Sequence, residues 1–367
     1  MPEAGAGSVI SEREQRVLGI IGTARGKRAK FRDERITMAH GAGGKATQTL
    51  IEGLLAPTLG GAALAEMGDA GLVSVNDLQL AFSTDSYVVK PLRFPGGSIG
   101  ELAVNGTVND LAVSGARPLA LSLSLILEEG LPADVLTGEV QAIADAARAA
   151  GVEIVTGDTK VVERGHADGM YICTAGIGQR DPRARLSPSA LRPGDRILLS
   201  GRIGDHGTAI MLARGEFELD AEIRSDTRSL WPAVDTLLEA AGDELRCLRD
   251  ATRGGVASVL NELARASKVA MIVREGDIPV APAVAGASEI LGIDPMYVAN
   301  EGVFVAFVAP QASERALAAL RGMPGGDQAA EIGEVRSEPP GMVLVQTSFG
   351  GRRVMDQLVG DPLPRIC

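Results

Sequence analysis

The chain has 367 residues, of which 45% are hydrophobic and 23% charged, and its net charge is -11. This length favours two domains, and the composition is typical of a globular protein. The acidic balance argues against broad nucleic-acid binding, and the sequence contains no apolar stretch long enough for a membrane helix. The first residues lack the apolar core of a signal peptide, so we expect a cytoplasmic protein.

Residues 1–35 form a Gly-, Ala- and Arg-rich segment that we interpret as an N-terminal extension. From residue 36 the chain alternates strand and helix patterns. Gly151 is expected to close the second predicted helix. The predicted strands of this half cover residues 80–84, 121–127, 152–156 and 170–177, and the predicted helices cover residues 99–114 and 133–150.

A proline- and arginine-rich stretch at residues 181–193 predicts a domain junction. The second half has predicted strands at 196–200, 269–273, 303–308 and 342–346 and predicted helices at 256–265 and 312–321. Because each half mixes strands with helices, the fold class is α/β (α+β) with two domains. The expected boundaries are an extension at 1–35, an N-terminal domain at 36–180, a C-terminal α/β domain at 181–345 and a tail at 346–367.

Only three cysteines occur, and none forms a CxxC pair, which argues against a zinc site or a disulfide framework. Cys173 lies in an apolar run and is expected to be buried. Cys367 follows Pro362 and Pro364, which exclude a regular helix and favour an extended, semi-rigid arm with a thiol at its tip. The alternative is a frayed terminus that carries a cysteine by chance.

A glycine-rich turn occupies residues 40–45, with the sequence HGAGGK. Glycines allow backbone N–H groups to approach a phosphate closely, and a lysine at a helix start adds positive charge. The spacing differs from that of a Walker A loop, so a plain flexible loop is the alternative. The candidate phosphate contacts are His40, Gly41, Gly43, Gly44 and Lys45.

Acidic and amide side chains are scattered over the first half of the chain. Asn105 and Asn109 are four residues apart, so they share one face of the predicted helix. Carboxylate and amide oxygens are the ligands that Mg²⁺ prefers, although any one Asp is more often a turn or cap residue. Together with the glycine-rich turn they predict a Mg²⁺–nucleotide site, with the candidate metal ligands Asp69, Asp85, Asp110 and Asp158.

Two further features lie in the second half. Arg253 belongs to a turn at residues 250–255 that precedes a predicted helix, where backbone donors and a cation can bind an anion. A capped helix with a glycine-containing entry turn is the structural alternative. Glu301 lies between Asn300 and Gly302 just before a predicted strand, where its carboxylate can face a cleft or serve as a turn acid.

Several motifs occur together in one order: residues 84–89, 94–100, 106–112, 157–162 and 204–207, followed by the final Pro-Arg-Ile-Cys. Over residues 36–367 the chain resembles the HypE family of carbamoyl dehydratases, which help to make the cyanide ligands of nickel–iron hydrogenases. This resemblance implies the two-domain aminoimidazole ribonucleotide synthetase-like fold, shared with selenophosphate synthetase. It also implies a homodimer in which the N-terminal sheets of two subunits pair, with ATP near the interface.

The resemblance further implies that a partner carbamoyltransferase loads a carbamoyl group onto Cys367. ATP then phosphorylates the carbamoyl oxygen, and loss of phosphate leaves a protein thiocyanate for an iron-bearing maturation scaffold. A base must remove the N–H protons, and Glu301 is the candidate. Lys160 is the candidate for stabilising developing charge, and His206 is an orienting or a structural histidine.

In this scheme the turn at 40–45, Asn105, Asn109, Thr159 and Arg253 contact ATP, and the four aspartates hold Mg²⁺. The nearest rival function is that of another ATP-dependent synthetase of the same superfamily, whose turnover would not need Cys367. A non-catalytic scaffold with a vestigial ATP site and a redox role for the thiol also stay open at this point.

Overall fold

The computed structural model describes residues 30–61, 64, 66–215, 222–358, 360 and 365–367. Within them the chain forms two sheets, of five and seven strands, and helices pack on both. This is the two-domain α/β architecture that the sequence predicts. Pro362, Pro364 and residues 1–29 of the predicted extension lie outside the described residues.

Among the described residues, the first half contains four α-helices. They are α1 (Lys45–Leu50), α2 (Ala56–Leu59), α3 (Ile99–Val113) and α4 (Ala133–Ala150), and a π turn at Ile51–Leu55 joins the first two. The strands are β1 (Gly71–Val75), β2 (Leu78–Tyr87), β3 (Arg93–Phe94), β4 (Gly97–Ser98), β5 (Ala116–Glu128), β6 (Glu153–Val162) and β7 (Met170–Arg180). The five-stranded sheet has the order β1-β2-β7-β5-β6, and β3 and β4 form a separate hairpin.

Strands β5 and β6 are parallel, so a crossover must connect them, and α4 provides it. As predicted, α4 ends at Gly151, which adopts the left-handed conformation with φ 69° and ψ 30°. α4 also stabilises the start of α3, because Glu139 accepts the N–H of Gly100 at 3.0 Å. α3 is almost entirely buried between the sheet and the second half of the chain.

The other face of this sheet is not covered by any element among the described residues. Register places Phe82 opposite Ile177, and both side chains point to this outer face, 49% and 41% exposed. Val155, on the edge strand β6, is also exposed. An apolar, uncovered sheet face is a surface that favours association.

Three expectations about local structure were wrong. β6 continues to Val162, so residues 157–160 lie inside a strand rather than in the turn after it. Asp85 likewise lies within β2 rather than after it. Cys173 is only half-buried, because alternation along β7 turns its side chain to the outer face of the sheet.

The second sheet contains seven strands in the order β14-β13-β10-β12-β8-β11-β9. The strands are β8 (Arg196–Leu199), β9 (Leu245–Asp250), β10 (Ala270–Arg274), β11 (Phe304–Val308), β12 (Ala330–Arg336), β13 (Met342–Gln346) and β14 (Arg352–Met355). The sequence predicted β8, β10, β11 and β13. It did not predict β9, β12 or β14, which carry charged residues that weaken the strand pattern.

Helices pack on both faces of this sheet. They are α5 (Asp205–Ala213), α6 (Trp231–Ala241), α7 (Gly255–Ala266), α8 (Pro282–Leu291) and α9 (Ser313–Arg321). Leu260 of α7 belongs to the core on one face, and Leu237 of α6 and Leu320 of α9 belong to the core on the other. None of the helices in the described part of the chain combines the length and the apolar character needed to cross a membrane.

The segment predicted as a tail begins with ordered structure. β14 pairs with β13, so the chain leaves the sheet only after Met355. Lys45 then donates its N–H to Leu358 O at 2.9 Å, which holds this stretch against the glycine-rich turn. The four domain boundaries stay predictions.

Gly106 is a close contact between α3 and β2, because a Cβ there would lie 2.1 Å from the Tyr87 hydroxyl. We expect Gly106→Ala to destabilise the fold by about 1–3 kcal/mol through overpacking. Gly286→Ala in α8 is the matched control, since no atom lies within 4 Å of its Cβ position. The control should gain up to about 1 kcal/mol from helix propensity. Urea unfolding checks both, and equal midpoints for the two variants would contradict the packing argument.

Candidate active site

The last three residues of the chain lie in a cleft between the two halves. Val88 donates its N–H to Cys367 O at 3.2 Å, and Lys90 donates to Arg365 O at 3.4 Å. This spacing of two residues on both segments is that of an antiparallel strand pair. Ile366 is buried between these contacts. The tail therefore docks through backbone hydrogen bonds to the residues that follow β2.

Arg253 fixes the thiol of Cys367. Its Nε lies 2.9 Å from Sγ, and its Nη2 donates to Cys367 O at 2.8 Å. Burial raises the pKa of the Cys367 thiol to about 12, although the nearby Arg253 guanidinium acts in the opposite direction. In this docked position the sulfur is therefore protonated at neutral pH.

Three carboxylates meet beside this cleft. One oxygen each of Asp69, Asp110 and Asp250 lies within 4.8 Å of the others. Asp69 comes just before β1, Asp110 lies on α3, and Asp250 ends β9, so both halves of the chain contribute. Burial, followed by repulsion from neighbouring carboxylates, raises the pKa of Asp110 and of Asp250 well above the ordinary range.

This cluster fits a divalent cation. Asp250 Oδ2 is buried and has no hydrogen-bond partner among the described residues. The counter-charge that the chain itself supplies there is Arg249, whose Nη1 lies 2.7 Å from Asp69 Oδ1. Asp85 is close by and accepts a hydrogen bond from Thr107 at 2.7 Å. Crowded oxygen ligands with an unsatisfied buried oxygen are what Mg²⁺ requires.

Glu301 lies buried in the same cleft, in the loop before β11. Burial, followed by the charges of Asp226, Asp250 and Asp85, raises the pKa of Glu301 well above its usual value. Asp226 holds the loop, because its two oxygens accept the N–H groups of Glu301 and Gly302 at 3.0 and 3.1 Å. A carboxyl group with a raised pKa beside a docked thiol is suited to proton transfer.

His206 does not reach the thiol. Its Nε2 lies 3.1 Å from the carbonyl oxygen of Ile366, and its Nδ1 lies 2.8 Å from Ser225 Oγ. Burial lowers the pKa of His206 to about 4, so the ring is neutral. The predicted orienting histidine therefore contacts the backbone of the tail.

The glycine-rich turn packs against the Arg253 segment. A Cβ at Gly43, whose φ is +72°, would lie 2.6 Å from Arg253 O, so only glycine allows this approach. Lys45 is paired with Asp356 at 2.7 Å, and His40 Nε2 lies 3.0 Å from Asp33 Oδ2. The turn thus borders the cleft, while its two charged side chains contact other parts of the protein.

Asn105 and Asn109 brace the segment that follows residue 222. Asn109 donates to Glu301 O at 3.1 Å and accepts the N–H of Leu230 at 2.8 Å. Asn105 donates to Thr227 Oγ1 at 3.3 Å. Both amides therefore position the Asp226–Glu301 region.

Asp158, Thr159 and Lys160 lie elsewhere on this subunit. They belong to β6, which is three strand spacings, about 14 Å, from the strand that carries Asp85. Lys160 Nζ pairs with Asp158 at 2.6 Å on the exposed outer face. Within one subunit, the structure therefore brings together Asp69, Asp85, Asp110, Arg253, Glu301 and Cys367, but not these three residues.

Sequence reasoning missed Asp250 as a member of the carboxylate cluster and Asp226 as the residue that holds Glu301. From the sequence Asp250 is only the start of the Arg253 turn, yet an acid at the end of a strand is a usable signal. Asp226 offers no such signal, because its partners are backbone groups 75 and 76 residues away.

Two family models cover most of this architecture. The N-terminal domain of AIR synthase related proteins matches residues 67–179, and their C-terminal domain matches residues 192–345. A thiamine monophosphate kinase-like structure, AaThiL complexed with AMPPCP and TMP, shares the fold at a TM-score of 0.66 and 19% identity, with coverage of 89% of this chain and 99% of that one. The fold and the cleft thus define an AIR synthase related protein.

Proteins with higher sequence identity to this chain identify the family within this class. The carbamoyl dehydratase HypE of Bradyrhizobium diazoefficiens is 48% identical over 93% of this chain and 99% of its own length. A crystal structure of HypE in complex with ATP has a TM-score of 0.76 at 44% identity, covering 91% of this chain and all of that one. A HypE–HypF complex matches with a TM-score of 0.80 at 42% identity, covering 84% and 99% of the two chains. The chain belongs to the HypE family.

Asp226 provides a test of the electrostatics of this site. Burial raises the pKa of Asp226 to about 6, so the unfolded chain loses this proton first as the pH rises. As the pH rises from about 4 to about 6, the free energy of unfolding of the wild type should therefore fall by about 2–3 kcal/mol relative to that of Asp226→Asn. Urea unfolding across this pH range measures the difference, with the exposed Asp77→Asn as surface control. Parallel pH curves for wild type and Asp226→Asn would refute the shift.

Proposed function

We propose that the chain is an ATP-dependent carbamoyl dehydratase that carries its substrate on Cys367 and supplies cyanide for nickel–iron hydrogenase. The observation that carries this assignment is the docked thiol, which lies against Arg253 and within range of the Glu301 charge. Membership of the HypE family supports the same reaction. ATP is the phosphoryl donor.

The reaction balances without a redox partner. The oxygen of the protein-bound S-carbamoyl group attacks the γ-phosphorus of ATP, and ADP leaves. The C–O bond then breaks and phosphate departs with the oxygen. The nitrogen loses both protons, and the product is the thiocyanate S–C≡N. Phosphorylation is needed because an amide oxygen is a poor leaving group.

Glu301 is the base in this proposal. Its raised pKa makes it a stronger base than an exposed carboxylate, and Asp226 holds the Glu301 backbone in place. Arg253, which contacts the thiol of the docked tail, is placed to stabilise negative charge on the carbamoyl oxygen as phosphate is transferred.

Asp69, Asp110 and Asp250, with Asp85 beside them, are the residues that would hold Mg²⁺. When bound, the ion would neutralise phosphate charge during transfer. The buried, unpartnered Oδ2 of Asp250 supports this assignment from the chain's own geometry. Metal binding must displace protons from these carboxylates, so Mg²⁺ affinity should increase with pH.

The uncovered outer face of the five-stranded sheet is the proposed homodimer interface. Its apolar residues, among them Phe82 and Ile177, are exposed in one subunit. Asp158 and Lys160 lie on this face, so dimerisation is the way in which they would approach the site of a partner subunit. Thr159, whose side chain register places on the opposite side of the strand, is a weaker candidate for that role.

Two other partners belong to this proposal. A carbamoyltransferase loads Cys367, and the HypE–HypF complex among the similar structures supports such a partner. An iron-bearing maturation scaffold then accepts the cyanide. Both require the tail to leave the cleft, since the thiol is buried when docked.

The direct test is the intact mass of the protein after incubation with the loading partner, carbamoyl phosphate and Mg-ATP. Wild type should gain one carbamoyl group and then lose the mass of one water. Cys367→Ala should gain nothing, and Glu301→Gln should be loaded but dehydrate at least 100-fold more slowly.

Two controls accompany this test. Circular dichroism establishes that all three proteins are folded, and a fresh wild-type sample establishes that the partner is active. Turnover that persists in Cys367→Ala would favour a synthetase of the same superfamily. Loading without dehydration in wild type would favour a scaffold with an inactive ATP site.

The metal assignment has a separate test that does not depend on turnover. Asp110→Asn should lower Mg²⁺ affinity about tenfold or more, measured by calorimetry on the protein without nucleotide. Asp145→Asn, on the exposed face of α4, is the matched control and should bind as wild type does. Unchanged affinity in Asp110→Asn would remove this residue from the ligand set.

A further inference from the structure

His206 contacts the docked tail at its backbone. It lies fully buried on α5, and within the described part of the tail its hydrogen-bond partner is the carbonyl oxygen of Ile366. A carbonyl can only accept, so His206 Nε2 must carry the proton. Nδ1 then accepts a hydrogen bond from the hydroxyl of Ser225, which lies 2.8 Å away.

Further hydrogen bonds connect Ser225 to the segment that holds Glu301. Ser225 Oγ accepts the N–H of Thr227 at 3.2 Å. The residue between them, Asp226, accepts the N–H groups of Glu301 and Gly302. Residues 225–227 therefore connect, through hydrogen bonds, both to the tail by way of His206 and to the proposed base Glu301.

Besides its hydrogen bonds to Arg253, Val88 and Lys90, the tail makes one surface contact and one buried contact. Arg365 makes the surface contact, an ion pair with Asp168 that solvent and salt weaken. Ile366 makes the buried contact, because its side chain is only 3% exposed and packs in a hydrophobic core to which both halves of the chain contribute. A buried carbonyl left without a donor is costly, so the His206 hydrogen bond is a condition for burying Ile366.

We propose that His206 is a positioning residue that latches the tail in the closed state through its Nε2–H and the Ile366 carbonyl. It acts on the thiol only through this backbone contact, and it touches neither the substrate nor the reacting atoms. Its importance for catalysis rests on the proposed function of Cys367, but the latch itself exists in the unloaded protein. It can therefore be measured without ATP or a partner.

The measurement is the alkylation rate of each cysteine with iodoacetamide, followed by peptide mass spectrometry on the full chain. Cys367 and Cys247 are both buried, and burial raises the pKa of each thiol to about 12. Cys247 lies within β9 in the core, so it reacts only on global unfolding. Cys367 reacts whenever the tail opens, so the pair separates local opening from loss of fold.

Two substitutions of His206 are expected to retain different hydrogen bonds of the histidine. In His206→Gln the amide nitrogen can replace Nε2 and donate to Ile366 O. In His206→Asn the shorter side chain can reach Ser225 but not the carbonyl. We expect His206→Asn to accelerate alkylation of Cys367 about five- to tenfold, the factor for one net hydrogen bond of about 1–1.4 kcal/mol. His206→Gln should remain within about twofold of wild type, and Cys247 should be unchanged in both.

Two results would overturn the latch. In one, Cys367 reacts in His206→Asn at the wild-type rate. In the other, Cys367 and Cys247 are accelerated together, which means that His206 supports the fold as a whole. The mass assay for dehydration, run on the same variants, tests the proposed function separately. A latch detected by alkylation in a protein without dehydratase activity would refute only the function.

Discussion

Six carboxyl groups are buried around one cleft of this protein, and the cost of burying their charge is the constraint on which the site depends. They are Asp69, Asp85, Asp110, Asp226, Asp250 and Glu301. Arg249 and Arg253 are the cations that the chain places among them. Protons or a bound cation must compensate the remaining negative charge, because buried carboxylates are unfavourable without a counter-charge.

The docked tail lies in the same cleft as these carboxyl groups. Val88 and Lys90, which follow β2, supply the backbone contacts, and Arg253 links the thiol to the glycine-rich turn by donating to Gly41 O. One guanidinium thus serves both the carrier and the proposed phosphate loop. Arginine suits this role because its planar group directs several donors at once.

The sequence predicted the class of fold and named six residues that the structure brings together at the cleft, but it did not predict their arrangement. Helix α4 was predicted with its observed bounds, because its apolar spacing and the terminal Gly151 are local signals. Asp158 was grouped with the other aspartates, since one-dimensional patterns do not show that β6 is the far edge of the sheet. Asp250 and Asp110 meet because two domains pack together, and no spacing along the chain encodes that contact.

Burial of the thiol affects the affinity of any protein that must bind Cys367. A loading partner can bind Cys367 only in the fraction of molecules whose tail is open, so its apparent dissociation constant is the intrinsic one divided by that fraction. Closure therefore makes every partner compete with the subunit's own cleft. The strength of docking sets a balance between handing the group over and keeping it in place long enough to react.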